Sequence, residues 1–253
     1  MPGDGIKTLY QPKIAIVRGG LESHKGVDVD NDSVTGARPR RKARRRKTRK
    51  QGSYHHGNLH RALLDAALML VEREGPKGVS LRSVARLTGV SPAAPYRHFP
   101  GKEGLLASVA EEGFHAMTAT MEAAVEVNKE LPLAGFRSVT FAYVKFAAVH
   151  PSHFRVMFGP EIADHSRYPK LKESSERSLA LLTGLIKRCQ RPDLIGGVEP
   201  RELAIAAWST LHGLATLMVD NQLGPKLTTD SELQALTDRV ADVLYRGLSY
   251  SGL

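Results

Sequence analysis

Apolar residues recur at three- and four-residue intervals along most of this chain, and the interruptions are as informative as the repeats. Ser80 is placed to cap a helix beginning at Leu81, in which Leu81, Val84, Ala85 and Thr88 share one face. Gly89 ends that helix, because glycine accepts the left-handed conformation of a C-terminal cap. Ser91 and Pro92 then open a second short helix reaching Phe99, with serine as the cap and proline at the first helical position. Pro95 falls in its first turn, where few amides have helical partners, so a helix is still expected there. Pro100-Gly101 closes the segment, and Lys102 starts a longer helix. Leu105, Leu106, Val109, Ala110, Phe114, Met117 and Met121 form one stripe along it. Two short helices around a glycine turn form a helix-turn-helix, the unit that lays one helix in the major groove of DNA.

The same period continues to the C-terminus. Phe136, Val139, Thr140, Tyr143, Val144 and Ala147 stripe residues 133–149, and Pro151 breaks the run. A short segment around 152–159 and a loop at 160–169 follow. Helices then fit 171–190, 200–222 and 230–249, with Pro192, Pro200 and Pro225 at the breaks. No alternating pattern of strand length and no internal repeat interrupts this, so the fold class is all-α, with the helix-turn-helix in the N-terminal half and a longer run of helices after it.

Charge changes the picture at one place. The formal net charge is +10, and residues 38–50 (RPRRKARRRKTRK) hold ten Lys or Arg and no acid; outside them, 26 basic residues face 26 acidic ones. The basicity therefore belongs to one arm. Self-repulsion and the lack of apolar residues predict that it is disordered when free and engages phosphates or the minor groove of DNA. Residues 1–37 are glycine-rich, polar and aperiodic, and are also expected to be disordered. With 253 residues, 42% hydrophobic, the remainder is long enough to bury a substantial core. The single cysteine, Cys189, allows no intrachain disulfide and fits a reducing cytoplasm. The apolar runs look too short and interrupted to span a membrane, and no signal-peptide core is visible at the N-terminus.

Residues 80–106 resemble the TetR family of bacterial transcriptional regulators, through Gly89, Val90, Ser91, Tyr96, His98, Phe99, Lys102, Glu103, Leu105 and Leu106. In that family G-V-S-x-x-x-x-Y-x-H-F-x-x-K-E-x-L-L joins the recognition helix to the first helix of the regulatory domain. The run YHHGNLHRALLDAALMLVEREG at 54–75 resembles the family's first helix. HPSHFRVMFGP (150–160) and WSTLHGLATL (208–217) are similar to the C-terminal domain of a subgroup carrying a Trp and a His-Gly pair. The resemblance implies three parts: an extension at 1–53 carrying the arm, a three-helix DNA-binding domain at 54–101, and an α-helical ligand-binding, regulatory and dimerisation domain at 102–253. It implies a sequence-specific regulator in the cytoplasm, a homodimeric repressor released from its double-stranded operator by a small-molecule effector. It implies no enzyme, no cofactor and no membrane partner. A non-specific DNA binder driven by the arm is the alternative.

Carried over position by position, the resemblance turns Ser91, Pro92, Ala93, Ala94 and Tyr96 toward the groove. Alanine and proline offer no side-chain hydrogen bond to a base, but they suit thymine methyls and close approach. Polar readout then falls on Arg82, helped by Arg97. Tyr96, His98 and Lys102 match positions that hold the phosphate backbone, and Arg44, Arg45 and Arg46 stand for the arm. His98 has a second reading, as packing beneath the helix. His55, His56 and His60 invite a metal, but without a further ligand cluster none is assigned.

Tyr143, Phe146, His150, His153, Phe154, Met157 and Phe158, with Trp208 and His212, form an aromatic and histidine group that the resemblance makes an effector pocket, suited to an aromatic or lipophilic ligand. A dimer reads two half-sites about one turn apart, roughly 34–36 Å. The expected seam joins the last two helices, through Ala204, Ala207, Leu211, Leu214 and Met218 on one and Leu233, Leu236, Val240, Val243 and Leu244 on the other, as a four-helix bundle.

Overall fold

The computed structural model describes residues 56–189, 199–223 and 229–249, and these are helical throughout, with no strand among them. The basic arm with Arg44, Arg45 and Arg46, and His55, lie outside the described residues. In chain order the elements are α1 (His56–Gly78), α2 (Leu81–Thr88), a 3-10 turn (Pro95–Arg97), α3 (Lys102–Val127), α4 (Pro132–Val149), α5 (Pro151–Phe158), a second 3-10 turn (His165–Arg167), α6 (Pro169–Cys189), α7 (Pro200–Val219) and α8 (Asp230–Ser249). Four of the helices begin on a proline, where the missing amide costs nothing and the fixed φ is already helical.

Local chemistry builds the N-terminal unit. Gly75, at φ +73°, ends the regular part of α1 and turns the chain toward α2. The Ser80 hydroxyl accepts from Ser83 N–H at 3.0 Å, and the Ser83 hydroxyl accepts from Ser80 N–H at 2.9 Å, a reciprocal cap with serine in the place of the usual acid. At the other end of α2, Gly89 takes φ +71°, and Val90 N–H reaches back to the Ala85 carbonyl at 3.0 Å. That is the bonding of a Schellman motif. Leu81, Val84 and Ala85 are buried beneath, against Leu63, Leu64, Ala67 and Phe99.

The second helix of the motif departs from expectation. Residues 92–99 do not form an α-helix; a turn at 92–94 leads into the 3-10 turn Pro95–Arg97. In an α-helix the amide of residue 95 would donate to the Ser91 carbonyl, and proline has no amide to give. Ala94 N–H takes that carbonyl instead, at 3.0 Å, and the chain winds on with Arg97 N–H to Ala94 at 3.2 Å and His98 N–H to Pro95 at 3.0 Å. These are the tighter bonds of a 3-10 turn. The cap of this turn is Ala94, with no side-chain bond.

α3 is the central element, packed on α1, α4, α5 and α6. Its sequence stripe is buried as expected, with Leu105, Leu106, Val109, Ala110, Phe114, Met117 and Met121 all inside. Burying a side chain of this size is worth roughly 1.5–3 kcal/mol.

The C-terminal helices face differently from the sequence reading. α8 lies mainly on α4 and scarcely on α7. Its buried line is Leu233, Thr237 and Ala241, so Leu236 and Val240 are half-buried and Val243 is 72% exposed. α7 buries Ala204, Ala207, Leu211, Ala215 and Val219, which removes Ala204, Ala207 and Leu211, like Leu233 of α8, from any outward seam and puts them in the chain's own core. Ala206, Thr210, Gly213 and Leu217 are exposed on its opposite side. α7 is also long and apolar enough by composition to cross a membrane, contrary to the sequence expectation, yet its small-residue line packs against α4 and α6.

Candidate functional site

The helix-turn-helix presents one polar surface. Arg82, Ser91, Pro92, Ala93 and Arg97 are exposed, Ala94 is half-buried, and Tyr96 is 56% exposed. Pro95 and Phe99 point the other way, into the core. The 3-10 turn therefore sorts its residues as a helix would, with reading positions outward and an apolar underside, although its span is shorter. Arg82 reaches this surface from the first turn of α2, where the Ser80 cap fixes the start of the helix.

Two positions expected at phosphates have protein partners. The Lys102 ammonium donates to the Lys77 carbonyl at 2.8 Å, tying the start of α3 to the end of α1. The half-buried His98 ring stands edge-on to His60 at 6.0 Å and lies 6.3 Å from Phe99. His60 itself lies 4.9 Å from the Phe99 ring. His98 thus joins the packing between α1 and the reading turn. Among the described residues no group of three or more His, Cys, Asp or Glu is arranged for a metal.

Behind this surface, α1, α3 and α5 meet at a charged joint. Arg61 on α1 bonds Asp65, with Nε at 2.9 Å, and the Glu112 carboxylate of α3. His153 of α5 is buried beside them. Burial pulls its imidazole down to about 4, against an opposing pull from Glu112. Its neighbour His150 is lowered too, again by burial.

A cavity of about 240 Å³ opens among α3, α4, α6 and α7. Phe114, Met117, Met121, Leu179 and Leu182 supply much of its wall. Of the residues expected at a pocket, Tyr143, Phe158 and Trp208 line it. Trp208 Nε1–H donates to the Tyr143 hydroxyl at 3.2 Å, and that hydroxyl is 3.0 Å from His212 Nδ1. Burial lowers the His212 imidazole. Burial also pushes the Tyr143 phenol far above its usual range. His212 and Phe154 stack behind the wall at 5.2 Å, and Phe158, which does line the cavity, contacts both. Phe146, His150 and Met157 lie away from it: Phe146 and His150 pair at 4.9 Å, and Met157 is fully buried. Nothing in the chain's pattern marks Phe114, Met117, Met121 or Leu211 as facing a space, since a cavity wall has the same apolar period as a solid core.

Known proteins bear on this arrangement at both ends. Residues 63–109 match the bacterial regulatory proteins of the tetR family, and residues 136–244 match the tetracyclin repressor-like C-terminal domain. An uncharacterized HTH-type transcriptional regulator of Bacillus subtilis (strain 168), YobS, is 26% identical over 160 residues, covering 62% of this chain and 76% of its own. A protein with unknown function from Rhodococcus sp. RHA1 is 34% identical, with a TM-score of 0.65, over 79% of this chain and all of that one. The transcriptional regulator FadR from Bacillus subtilis, solved with stearoyl-CoA, shares the fold at 21% identity and a TM-score of 0.58, over 74% and 98% of the two chains. With a DNA-reading unit and a regulatory domain matched in this order, the chain belongs to the TetR family of bacterial regulatory proteins and is a DNA-binding transcription regulator, not an enzyme.

Proposed function

We propose that the protein is a cytoplasmic homodimeric repressor that leaves its operator when a small molecule occupies the cavity between α3, α4, α6 and α7. One observation carries the reading: α3 belongs to both sites. Its first residues, Lys102 and Glu103, follow the reading turn, and Phe114, Met117 and Met121 farther along form the cavity wall. A ligand that favours a different setting of α3 therefore changes the spacing of the reading turns in a dimer. Relief of repression by 100-fold needs ~2.7 kcal/mol of differential binding between the two settings. The likeness to a fold solved with a bound acyl-CoA supports a small molecule in this domain.

Dimerisation is supported by the outward sides of α7 and α8. Leu217 is exposed on one, Val243 on the other, and half-buried Leu214, Met218, Leu236, Val240 and Leu244 flank them. A two-fold axis there would make a four-helix bundle from two copies. In the division of labour, 54–101 reads DNA, 102–253 regulates, and the arm at 38–50 holds phosphates. Arg82 supplies base readout, worth roughly 1–3 kcal/mol if bidentate to guanine. Tyr96, Arg97, His98 and Lys102 flank it toward the backbone, with Ser91, Pro92, Ala93 and Ala94 between them.

The test is binding to the gene's own upstream region against random DNA at ~150 mM salt, where a specific site gains roughly 10³-fold or more. A footprinted palindrome is expected. Arg82→Ala should relax preference at one base pair per half-site. Deleting 38–50 should weaken binding on every sequence and flatten its salt dependence. Equal affinity for both DNAs would replace this reading with a general DNA binder driven by the arm.

A further inference from the structure

We infer that the cavity selects an uncharged, largely hydrocarbon or aromatic molecule of about ten non-hydrogen atoms and rejects carboxylates and phosphate esters. The inference rests on the cavity being the effector site, and it goes further by naming the chemical class.

Most polar groups of the wall are already engaged; the remaining one is the half-buried His165 of the second 3-10 turn, which lies beside the Asp164 carboxylate. Trp208 spends its only donor on Tyr143, and the Tyr143 hydroxyl also shares a hydrogen bond with His212 Nδ1. The Ser178 hydroxyl bonds the Thr118 hydroxyl and the Ser174 carbonyl, and the Ser175 hydroxyl donates to the Lys172 carbonyl at 2.8 Å. A ligand acceptor such as a carboxylate or phosphate oxygen therefore gains no proton from these hydroxyls or the indole without breaking a bond. Among the described residues no Lys or Arg lines the space. Its one charged lining residue is an acid, Glu176, whose side chain is 66% exposed and 3.8 Å from Lys172. A carboxylate or phosphate brought inside would lose its hydration, meet no Lys or Arg, and face Glu176 at the edge with only the His165 imidazole to offset it. Burying a charge without a partner is among the costliest steps a site can impose.

An uncharged apolar molecule meets none of these obstacles. It covers Phe114, Phe158 and Trp208 and fills space between Met117 and Met121, whose thioethers adjust to irregular shapes. Size follows from volume: a dry cavity of ~150 Å³ takes benzene, so the 240 Å³ here suits about ten heavy atoms. A long acyl chain with a nucleotide headgroup, such as the relative's stearoyl-CoA, exceeds it in size and in charge.

Trp208 is the only tryptophan in the chain and stands in the cavity wall, so its fluorescence reports occupancy directly. The full-length protein is titrated at pH 7.5 with p-cymene, with 4-isopropylbenzoate, which replaces one methyl by a carboxylate, and with stearoyl-CoA. Saturable change with p-cymene at an apparent Kd at least tenfold below the other two is expected. The Leu182→Phe variant, shown to be folded by its melting curve, should lose the p-cymene response. Equal or tighter binding of either anion overturns the inference, as does the lack of a saturable p-cymene signal up to its solubility limit. Release of operator DNA is read separately. An anion that binds and releases DNA keeps the repressor reading and removes only the ligand class. Binding of p-cymene without release keeps the ligand class and counts against the repressor reading.

Discussion

The Arg61 guanidinium on α1 reaches the Glu112 carboxylate on α3 while its Nε holds Asp65 one turn along its own helix. One cation thus fixes the DNA-reading unit to the helix that walls the cavity. Both side chains are partly open to solvent, so the pair is worth on the order of 1 kcal/mol and not the larger sums of a fully buried pair. Glu112→Gln should lower the melting temperature by roughly 2–4 °C at low ionic strength, with a smaller difference at ~1 M salt. Identical melts at low salt would show that the bond contributes nothing to the junction.

Gly89 allows a second test, one of backbone alone. Its φ is +71°, and a Cβ there would meet no atom within 4 Å. Gly89→Ala therefore removes no contact and creates no clash. A loss of about 1 kcal/mol in urea unfolding is expected, with weaker operator binding because the reading turn is aimed by this corner. An unchanged midpoint would mean that the left-handed cap is not held in solution.

His153 predicts how stability follows pH. Its folded value is about 4, chiefly through burial, against an ordinary 6.5. Above pH 6.5 the ring is neutral in both states and contributes no pH dependence. As pH falls from 6.5 toward 4 the unfolded chain takes up a proton that the folded one refuses, so stability drops, by about 2 kcal/mol at pH 5. Burial lowers His150 and His212 as well, which adds to the same trend. Urea midpoints at pH 7 and pH 5 give the measurement. His153→Gln should flatten the difference, and an equal slope in both proteins would place the titrating group elsewhere.

Val243 tests the dimer. The side chain is 72% exposed on the outward side of α8, and aspartate there leaves the fold of one chain intact. Val243→Asp should sediment as a monomer at micromolar concentration, keep its melting curve within a few degrees, and lose most operator affinity because one half-site is read at a time. A dimer that survives the change would move the axis to another face.

Much of this was legible where the cause was local. Ser80, Gly89 and the Pro200 start of α7 each act on the backbone within a few residues, and the structure has them as the sequence predicts. Pro95 was misread because its effect depends on a partner: the Ser91 carbonyl waits for an amide that residue 95 lacks, and being in the first turn does not excuse it. On α8 the apolar stripe pointed to Val243, yet Thr237 is the residue buried. Its hydroxyl bonds the Gln234 carbonyl one turn back, so a polar side chain enters the core without an unmet bond. The cavity was half visible. Trp208 and Tyr143 were found through their chemistry, while Phe114, Met117 and Met121 were not, because an apolar wall and an apolar core look alike until the space between helices is seen.

The two prolines of the reading turn bear on what docking costs in disorder. A recognition segment that must coil into shape on DNA gives up backbone freedom at that moment, roughly 1–2 kcal/mol for each residue ordered. Here Pro92 and Pro95 have their φ fixed before any DNA arrives, and Phe99 anchors the segment from beneath. The free protein already holds the shape it presents, so little freedom remains to be lost. The same stiffness limits adjustment to a mismatched groove, which favours a narrow set of operators over a broad one.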